Sequence, residues 1–457
     1  MKAKTNEMFF SLPYEIAMVR SLRRTTFGER EAALKAAYYN TELIPQEVVY
    51  VDLKTDSGVS SLSAAQLAKL LGDQPLESAM ELAAEANSAF QSLAARFEKN
   101  FGFPFLIPVS QGRAAERIWI GMHVKPGAVV PGNMLFPSTR YHIESNGGKV
   151  IDVISDRAHD LYTDEPFKGN VDLAKLQGVF QEHEREEIPC VYVELCVNAC
   201  GGQPVSLGNL RAAKEMAAAN GVALFLDACR ILENSWLVKQ REPEYKSASL
   251  GEIVRETCSL ADGCTMSALK DFLTPMGGFI ATRDEAKYQK ASLQNFLGGS
   301  QPSSMIMGMI ANALEEIFAH EAYVKNRVEQ IQYLWQKLSG TVPVLAPAGG
   351  HAVFLDMRNF LPQVRAEEYP GAALAAFIYQ ISGIRVTPGP PPAPSQSAHG
   401  VELLRFAVPA RRYLKEHMDD VADAVLYAFA HRQEIKGLRR IEKPGRSRYG
   451  PALFAPL

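Results

Sequence analysis

Short apolar runs alternate with helical patterns through the middle of this chain, and that alternation narrows the fold more than any other feature. Val48–Leu53, Phe105–Val109, Val150–Ile154, Val191–Val197, Ala223–Leu226 and Gly278–Ala281 each read as a strand. Apolar residues at helical spacing fall between several of them, over Ala79–Asn100 (ended by Gly102), Ala114–Met122 and Leu207–Asn220. Strands alternating with helices predict a mostly parallel sheet covered on both faces. After Ser300 the texture changes. Ser303–Leu338 predicts one long helix or two joined ones. Strands at Val342–Val344 and His351–Asp356 follow, then the helix Ala372–Ser382, the strand Leu403–Val408 and a closing helix His417–His431. This α+β pattern predicts a second domain. The expected boundaries are 1–48 for an N-terminal arm with part of the small domain, 49–305 for the large domain and 306–457 for the small one.

The 457 residues are 47% hydrophobic, enough for more than one core and too apolar for a disordered chain. Lys+Arg 48 against Asp+Glu 51 gives −3, so neither a nucleic-acid nor a membrane surface is expected. Cys190, Cys196, Cys200, Cys229, Cys258 and Cys264 make no CxxC pair, which favours reduced, buried thiols over a metal site. No signal-peptide pattern and no long uncharged apolar run is visible, so a cytoplasmic protein is expected.

Several residues carry chemistry in order. Asp227 closes an apolar strand, where a carboxylate can hold the nitrogen of a pyridine ring protonated; capping the next helix is the ordinary alternative. Lys270 lies in Met266-Ser267-Ala268-Leu269-Lys270-Asp271, an apolar setting in which an amine loses its proton more easily and can form a Schiff base. Gln111-Gly112-Arg113 opens a helix after a strand, where free N–H groups can cradle a phosphate. Asn198, followed by Gly201-Gly202-Gln203-Pro204, offers an amide to a cofactor oxygen or a carboxylate, or simply builds a turn. Phe136 can stack on a ring or belong to the core. Arg405 lies within the apolar run Leu403–Val408 and needs an anionic partner, which a substrate α-carboxylate or an internal acid could supply. Together these residues spell a pyridoxal-phosphate site.

The local words and their order resemble the tryptophanase and tyrosine phenol-lyase family of pyridoxal-phosphate β-eliminating lyases. They include Arg24-Thr25-Thr26, Thr55-Asp56-Ser57-Gly58, Gln111-Gly112-Arg113, the run Gly201–Ser206 and Asp227-Ala228-Cys229-Arg230. They continue through Arg241–Lys246, Lys270-Asp271, Gly349-Gly350-His351 and Leu403-Leu404-Arg405, spanning nearly the whole chain. The resemblance implies an aspartate-aminotransferase-like α/β fold of type I. This has a large cofactor-binding domain around a mostly parallel, seven-stranded sheet, with a smaller α+β domain. It also implies a homotetramer with sites at the dimer interface. Carried over, Lys270 is the Schiff-base lysine and the base for the α-proton, and Asp227 pairs with the pyridine nitrogen. Arg230 and Asn198 lie near the phenolic oxygen. Gln111, Gly112, Arg113 and Ser267 hold the phosphate, Phe136 stacks on the ring, and Thr55, Asn198 and Arg405 bind the substrate amino acid.

The departures bear on the substrate. Where the family has Gly-Asp-Glu-Ala-Tyr, this chain has Gly72-Asp73-Gln74-Pro75-Leu76. Leu76 replaces the tyrosine regarded as the acid for a carbon leaving group, and Gln74 replaces a ligand of the monovalent cation, which weakens the case for that ion. A Lys-Lys pair has become Leu269-Lys270. The C-terminal histidine of tryptophanases is missing from Arg446–Tyr449. Pro388–Gly400 is proline-rich and holds no arginine for a phenol, while Arg385 matches a family arginine upstream of that position. A carbon leaving group needs a positioned acid, whereas a thiolate departs with less help. The expected activity is α,β-elimination on a β-substituted L-amino acid other than tryptophan or tyrosine, with C–S cleavage in view. The alternatives are a C–C lyase acting on a specialised biosynthetic amino acid with His142, Arg140 or a tyrosine of the adjacent subunit as acid, another carbanion outcome such as aldol-type cleavage, β-replacement or decarboxylation, and a degenerate cofactor-binding homologue.

Overall fold

The computed structural model describes residues 19–71, 79–388, 402–442 and 451–457. They fall into two compact units. The first is built from Ser57–Asp160 and Glu165–Val328, and the second from the described part of Tyr14–Asp56, Leu161–Asp164 and Glu329–Leu457. The division comes at Val328, later than the expected 305. The reason is packing: the helix Ser304–Ala319 lies against Ala79–Phe101, and Val328 is buried with Cys196 and Leu237. Ser303–Leu338 is accordingly two helices, Ser304–Ala319 and Ala322–Leu338.

The first unit is organised on a seven-stranded sheet. Its spatial order is Phe105–Val109, Gly278–Thr282, Gly263–Ser267, Ala223–Asp227, Cys190–Glu194, Val129–Gly132 and Lys149–Asp152. Gly278–Thr282 runs antiparallel to both neighbours and all other pairings are parallel. Two of these strands escape a reading by apolar runs. Gly263–Ser267 is Gly-Cys-Thr-Met-Ser, and Val129–Gly132 carries Pro131 and Gly132. Both are buried throughout, because helices cover the sheet. Gly263 is required by packing: a Cβ there would stand 2.4 Å from Phe225 Cε2. Phe225 in turn stacks on Trp119 with ring centroids 3.9 Å apart. Truncating such a ring to Ala costs about 3–5 kcal/mol. Among the described residues, no helix is long and apolar enough to cross a membrane.

In the second unit, Leu403–Ala407 lies between Thr387–Pro388 and Ala352–Asp356 in an antiparallel sheet. Leu374, Ile378, Val421 and Val425 from the helices Pro370–Ser382 and Lys415–Ala430 join its core. Val342–Val344 is not a strand; Pro343 interrupts it and only the single bridge Val344 to Leu355 forms. Val48–Leu53 shortens to Val51–Asp52, paired in parallel with Ile384–Arg385. Across that pairing Arg385 grips Asp52 with a fork, Nε to Oδ1 at 2.9 Å and Nη2 to Oδ2 at 2.6 Å, and also donates to the Ile44 carbonyl at 2.6 Å.

Candidate active site

The parallel strands of the first unit end on one edge of the sheet, and the expected residues gather there. Asp227 is the last residue of its strand and is buried; its Oδ1 accepts from the Cys229 backbone N–H at 3.0 Å. Ser267 ends the next strand, and its N–H donates to Cys229 Sγ at 3.1 Å. The turn that follows carries Lys270, whose N–H reaches back to the Ser267 carbonyl at 3.4 Å. Lys270 Nζ lies 5.7 Å from the centre of the Phe136 ring. Phe136 is the N-cap of the helix Pro137–Ser145 and is half-buried.

Gln111 is the N-cap of Gly112–His123 in extended backbone, and its side chain makes no capping bond. The register explains why Gly follows it. A Cβ on Gly112 would lie 2.7 Å from Ser267 Cβ, so only a hydrogen lets the helix start approach the end of the Ser267 strand. The helix N-terminus therefore lies directly against Ser267, with Arg113 exposed beside it. A helix N-terminus suits a phosphate. Asn198 opens a short turn that Gly201 closes in left-handed backbone, at φ 93°. In this unit, non-glycine left-handed backbone among the described residues occurs at Met134, Cys196 and Leu273, close in sequence to Phe136, Asn198 and Lys270. Strain of this kind collects at functional sites.

Arg230 is buried and donates from Nη1 to Glu233 Oε2 at 3.2 Å, while Arg327 Nε approaches Glu233 Oε1 at 2.5 Å. Asp271, next to the lysine, accepts from the Leu232 N–H at 2.8 Å. Burial, then Glu233, pushes the Asp271 carboxyl well above its usual range. Two further acids escape the sequence reading. Glu194 lies in register with Asp227 on the adjacent strand, and Glu116 comes from the Gly112–His123 helix. Burial, followed by the charge of Asp227, raises Glu116 to about 7 and lifts Glu194 well above the carboxylate range. Glu194 is readable only as part of an apolar strand; its polar position at the strand's C-terminal end is the available signal.

Thr55 and Arg405 belong to the second unit. Both are half-buried, and Arg405 Nη2 donates to the Lys54 carbonyl at 3.3 Å. A cavity of about 640 Å³ in that unit, lined by Arg24, Arg30, Tyr50 and Tyr427 among others, includes neither of them. Arg385 is consumed by Asp52. Arg140 is similarly engaged, with Asp152 at 2.6 Å, and His142 is held below its usual pKa by burial and by Arg117 and Arg113, so neither makes a ready acid. All six cysteines are buried. Leu76, Gln74, the stretch 389–400 and Arg446–Tyr449 lie outside the described residues.

Comparison with known proteins agrees with this arrangement. Residues 52–424 match the model of the beta-eliminating lyases. A tyrosine phenol-lyase of Pasteurella multocida is 40% identical over 97% of this chain and 98% of its own length. One from Nostoc punctiforme is 39% identical over 97% and 96%. Among solved structures, serine palmitoyltransferase of Sphingomonas wittichii superposes with a TM-score of 0.62 at 14% identity, covering 89% of this chain and 97% of the other. Aspartate aminotransferase of Thermotoga maritima gives 0.60 at 12%, covering 90% and 98%. These likenesses carry the fold, which is the aspartate-aminotransferase-like fold of type I. A match over residues 52–424, together with relatives about 40% identical along nearly the whole chain, places it in the pyridoxal-phosphate-dependent beta-eliminating lyases, in the branch of tryptophanase and tyrosine phenol-lyase.

Proposed function

We propose that this enzyme eliminates the β-substituent of an L-amino acid whose leaving group departs as a stabilised anion, a thiolate being the leading example. With water, the products are the released group with its proton, a 2-oxo acid and ammonia. The observation that carries the reading is Lys270 Nζ beside the Phe136 ring, on the same sheet edge as Asp227. Pyridoxal phosphate, when bound, supplies an electron sink for the carbanion left once the α-proton is removed.

The rest is the work of the chain. The Lys270 amine would hold the cofactor at its carbonyl carbon and, once displaced from it by the substrate's amino group, would be free to take the α-proton. Asp227 holds the proton of the pyridine nitrogen, and Arg230 and Asn198 face the phenolic oxygen. The N–H groups of Gly112 and Arg113, with Gln111 and Ser267, hold the phosphate. Thr55 and Arg405 receive the substrate carboxylate, Arg405 through its planar fork. Assembly as a homotetramer, with sites shared in dimers, belongs to the same proposal. The leaving-group preference rests on sequence: Leu76 supplies no acid, and the 388–400 segment has no arginine for a phenol.

A second reading is favoured by the curated relatives, which are named tyrosine phenol-lyases. In it the enzyme breaks a C–C bond, and a residue other than one at position 76 protonates the carbon. The test is an absorbance spectrum of the protein loaded with pyridoxal phosphate, followed by product analysis on a panel of amino acids. A visible band removed by borohydride, with thiol and 2-oxo acid formed from S-substituted cysteines, is expected. Rapid phenol release from tyrosine with S-substituted cysteines ignored would overturn the leaving-group assignment and favour the second reading.

A further inference from the structure

The reaction as described employs Asp227 and leaves two buried carboxyl groups beside it without a task. Glu194 and Asp227 are register partners on adjacent parallel strands, so both side chains leave the sheet on the same face. Glu194 is 5% exposed and Glu116 6%. Each is fixed chiefly through one oxygen, with the Phe136 N–H also facing Glu194 and the Ser138 hydroxyl facing Glu116. The Asn198 N–H donates to Glu194 Oε1 at 2.8 Å, and the Thr139 hydroxyl donates to Glu116 Oε1 at 3.1 Å. In both, Oε2 is buried with no hydrogen-bond partner among the described residues. A bare, buried carboxylate oxygen is costly, and a proton on it removes most of that cost.

The groups facing them come from every neighbouring element. Asp227 and Lys270 face both acids, and the Cys200 thiol faces Glu194 from the turn after its own strand. The Ser138 and Thr139 hydroxyls face Glu116, and Tyr192 and Cys229 sense it from the same layer. Three carboxyl groups crowded around one amine do not all ionise together.

We propose that Glu194 is a positioning residue that shares a proton with Asp227 and sets how firmly Asp227 holds the proton of the cofactor's pyridine nitrogen, with Glu116 as the outer member of the relay. The inference rests on the assignment of Asp227 to that nitrogen. At low pH Glu194 keeps its proton. As pH rises the proton leaves Glu194, and the new negative charge beside Asp227 makes the ring proton harder to remove. The electron sink therefore stays protonated further into alkaline solution than Asp227 alone would allow. Only O–H and N–H bonds change, and no oxidant or reductant is involved.

The test is a pH titration of the pyridine-nitrogen NMR signal of enzyme loaded with nitrogen-labelled pyridoxal phosphate, comparing the wild type with Glu194→Gln, whose amide oxygen still accepts from the Asn198 N–H. The expected result is a midpoint lower by about one pH unit in the variant, the size of a nearby charge's influence. An unchanged midpoint in a folded variant would overturn the proposal. If Glu194→Gln does not fold, infrared spectra of the wild-type and Glu194→Asp apoproteins decide. A protonated side-chain carboxyl signal that disappears between neutral and alkaline pH, and that Glu194→Asp displaces, is required; its absence, or an identical signal in Glu194→Asp, would overturn the proposal. A wild type that forms no visible band with pyridoxal phosphate would defeat the proposed activity instead, while the infrared result would still judge Glu194.

Discussion

Two groups of buried acids flank Lys270, and the protein treats them differently. On the Arg230 side, Glu233 is clasped by two guanidiniums, Arg230 at 3.2 Å and Arg327 at 2.5 Å. On the Asp227 side, Glu194 and Glu116 have backbone and hydroxyl donors, and the basic group among their main influences is Lys270. A buried carboxyl can be kept by pairing its charge or by keeping its proton. The first solution makes a rigid strut; the second makes a group that responds to pH. Buried acids near the lysine are thus of two kinds, one held by paired charge and one by burial that favours its proton.

Substitutions can break or sharpen this contrast. Lys270→Ala removes the amine common to both sides, and turnover should fall at least ~10³-fold, with the visible cofactor band lost from the spectrum. Glu233→Ala leaves two guanidiniums buried together, and urea unfolding should show a loss of about 3–5 kcal/mol at any pH near neutrality. Glu116→Gln tests the opposite behaviour. The folded-state pKa of Glu116 is about 7 against an ordinary 4.5. Its contribution to stability is therefore complete below the ordinary carboxylate range and is lost as pH rises through about 7. In the wild-type apoprotein, stability should decline over that window by up to roughly 3 kcal/mol from this group, and Glu116→Gln should flatten the decline. The smallest effect separates two arginines of the second unit. Arg405→Lys should raise KM roughly 10- to 100-fold with an unchanged melting temperature. Arg385→Lys, which loses the fork on Asp52, should lower the melting temperature and leave KM nearly untouched.

Much of this was legible in the sequence, for identifiable reasons. Ala223–Asp227, Phe105–Val109 and Gly278–Thr282 are compact apolar runs whose side chains state their burial. The words around Lys270, Asp227 and Gly112 are local, so their order could be read directly. Gly263–Ser267 was hidden because its burial is imposed by neighbours rather than by its own composition. Glu194 was hidden for a related reason: its meaning depends on lying in register with Asp227, which only strand pairing reveals. The fate of Arg385 was equally nonlocal, since Asp52 lies far away in the chain and reaches it through a two-residue parallel pairing.

The contact between Gly112 and Ser267 has a further consequence. A Cβ at 112 would stand 2.7 Å from Ser267 Cβ, closer than carbon atoms pack, so the contact is a mechanical stop. The helix start at Gly112 is seated against Ser267 with no side chain of its own as spacer, and the distance from helix start to lysine turn is set by steric contact instead of an adjustable bond. A methyl group at 112 would act as a wedge of one atom, moving the anchoring end of the cofactor while leaving every reacting group in place. Misalignment there would register as a poorly aimed reaction rather than as a missing one.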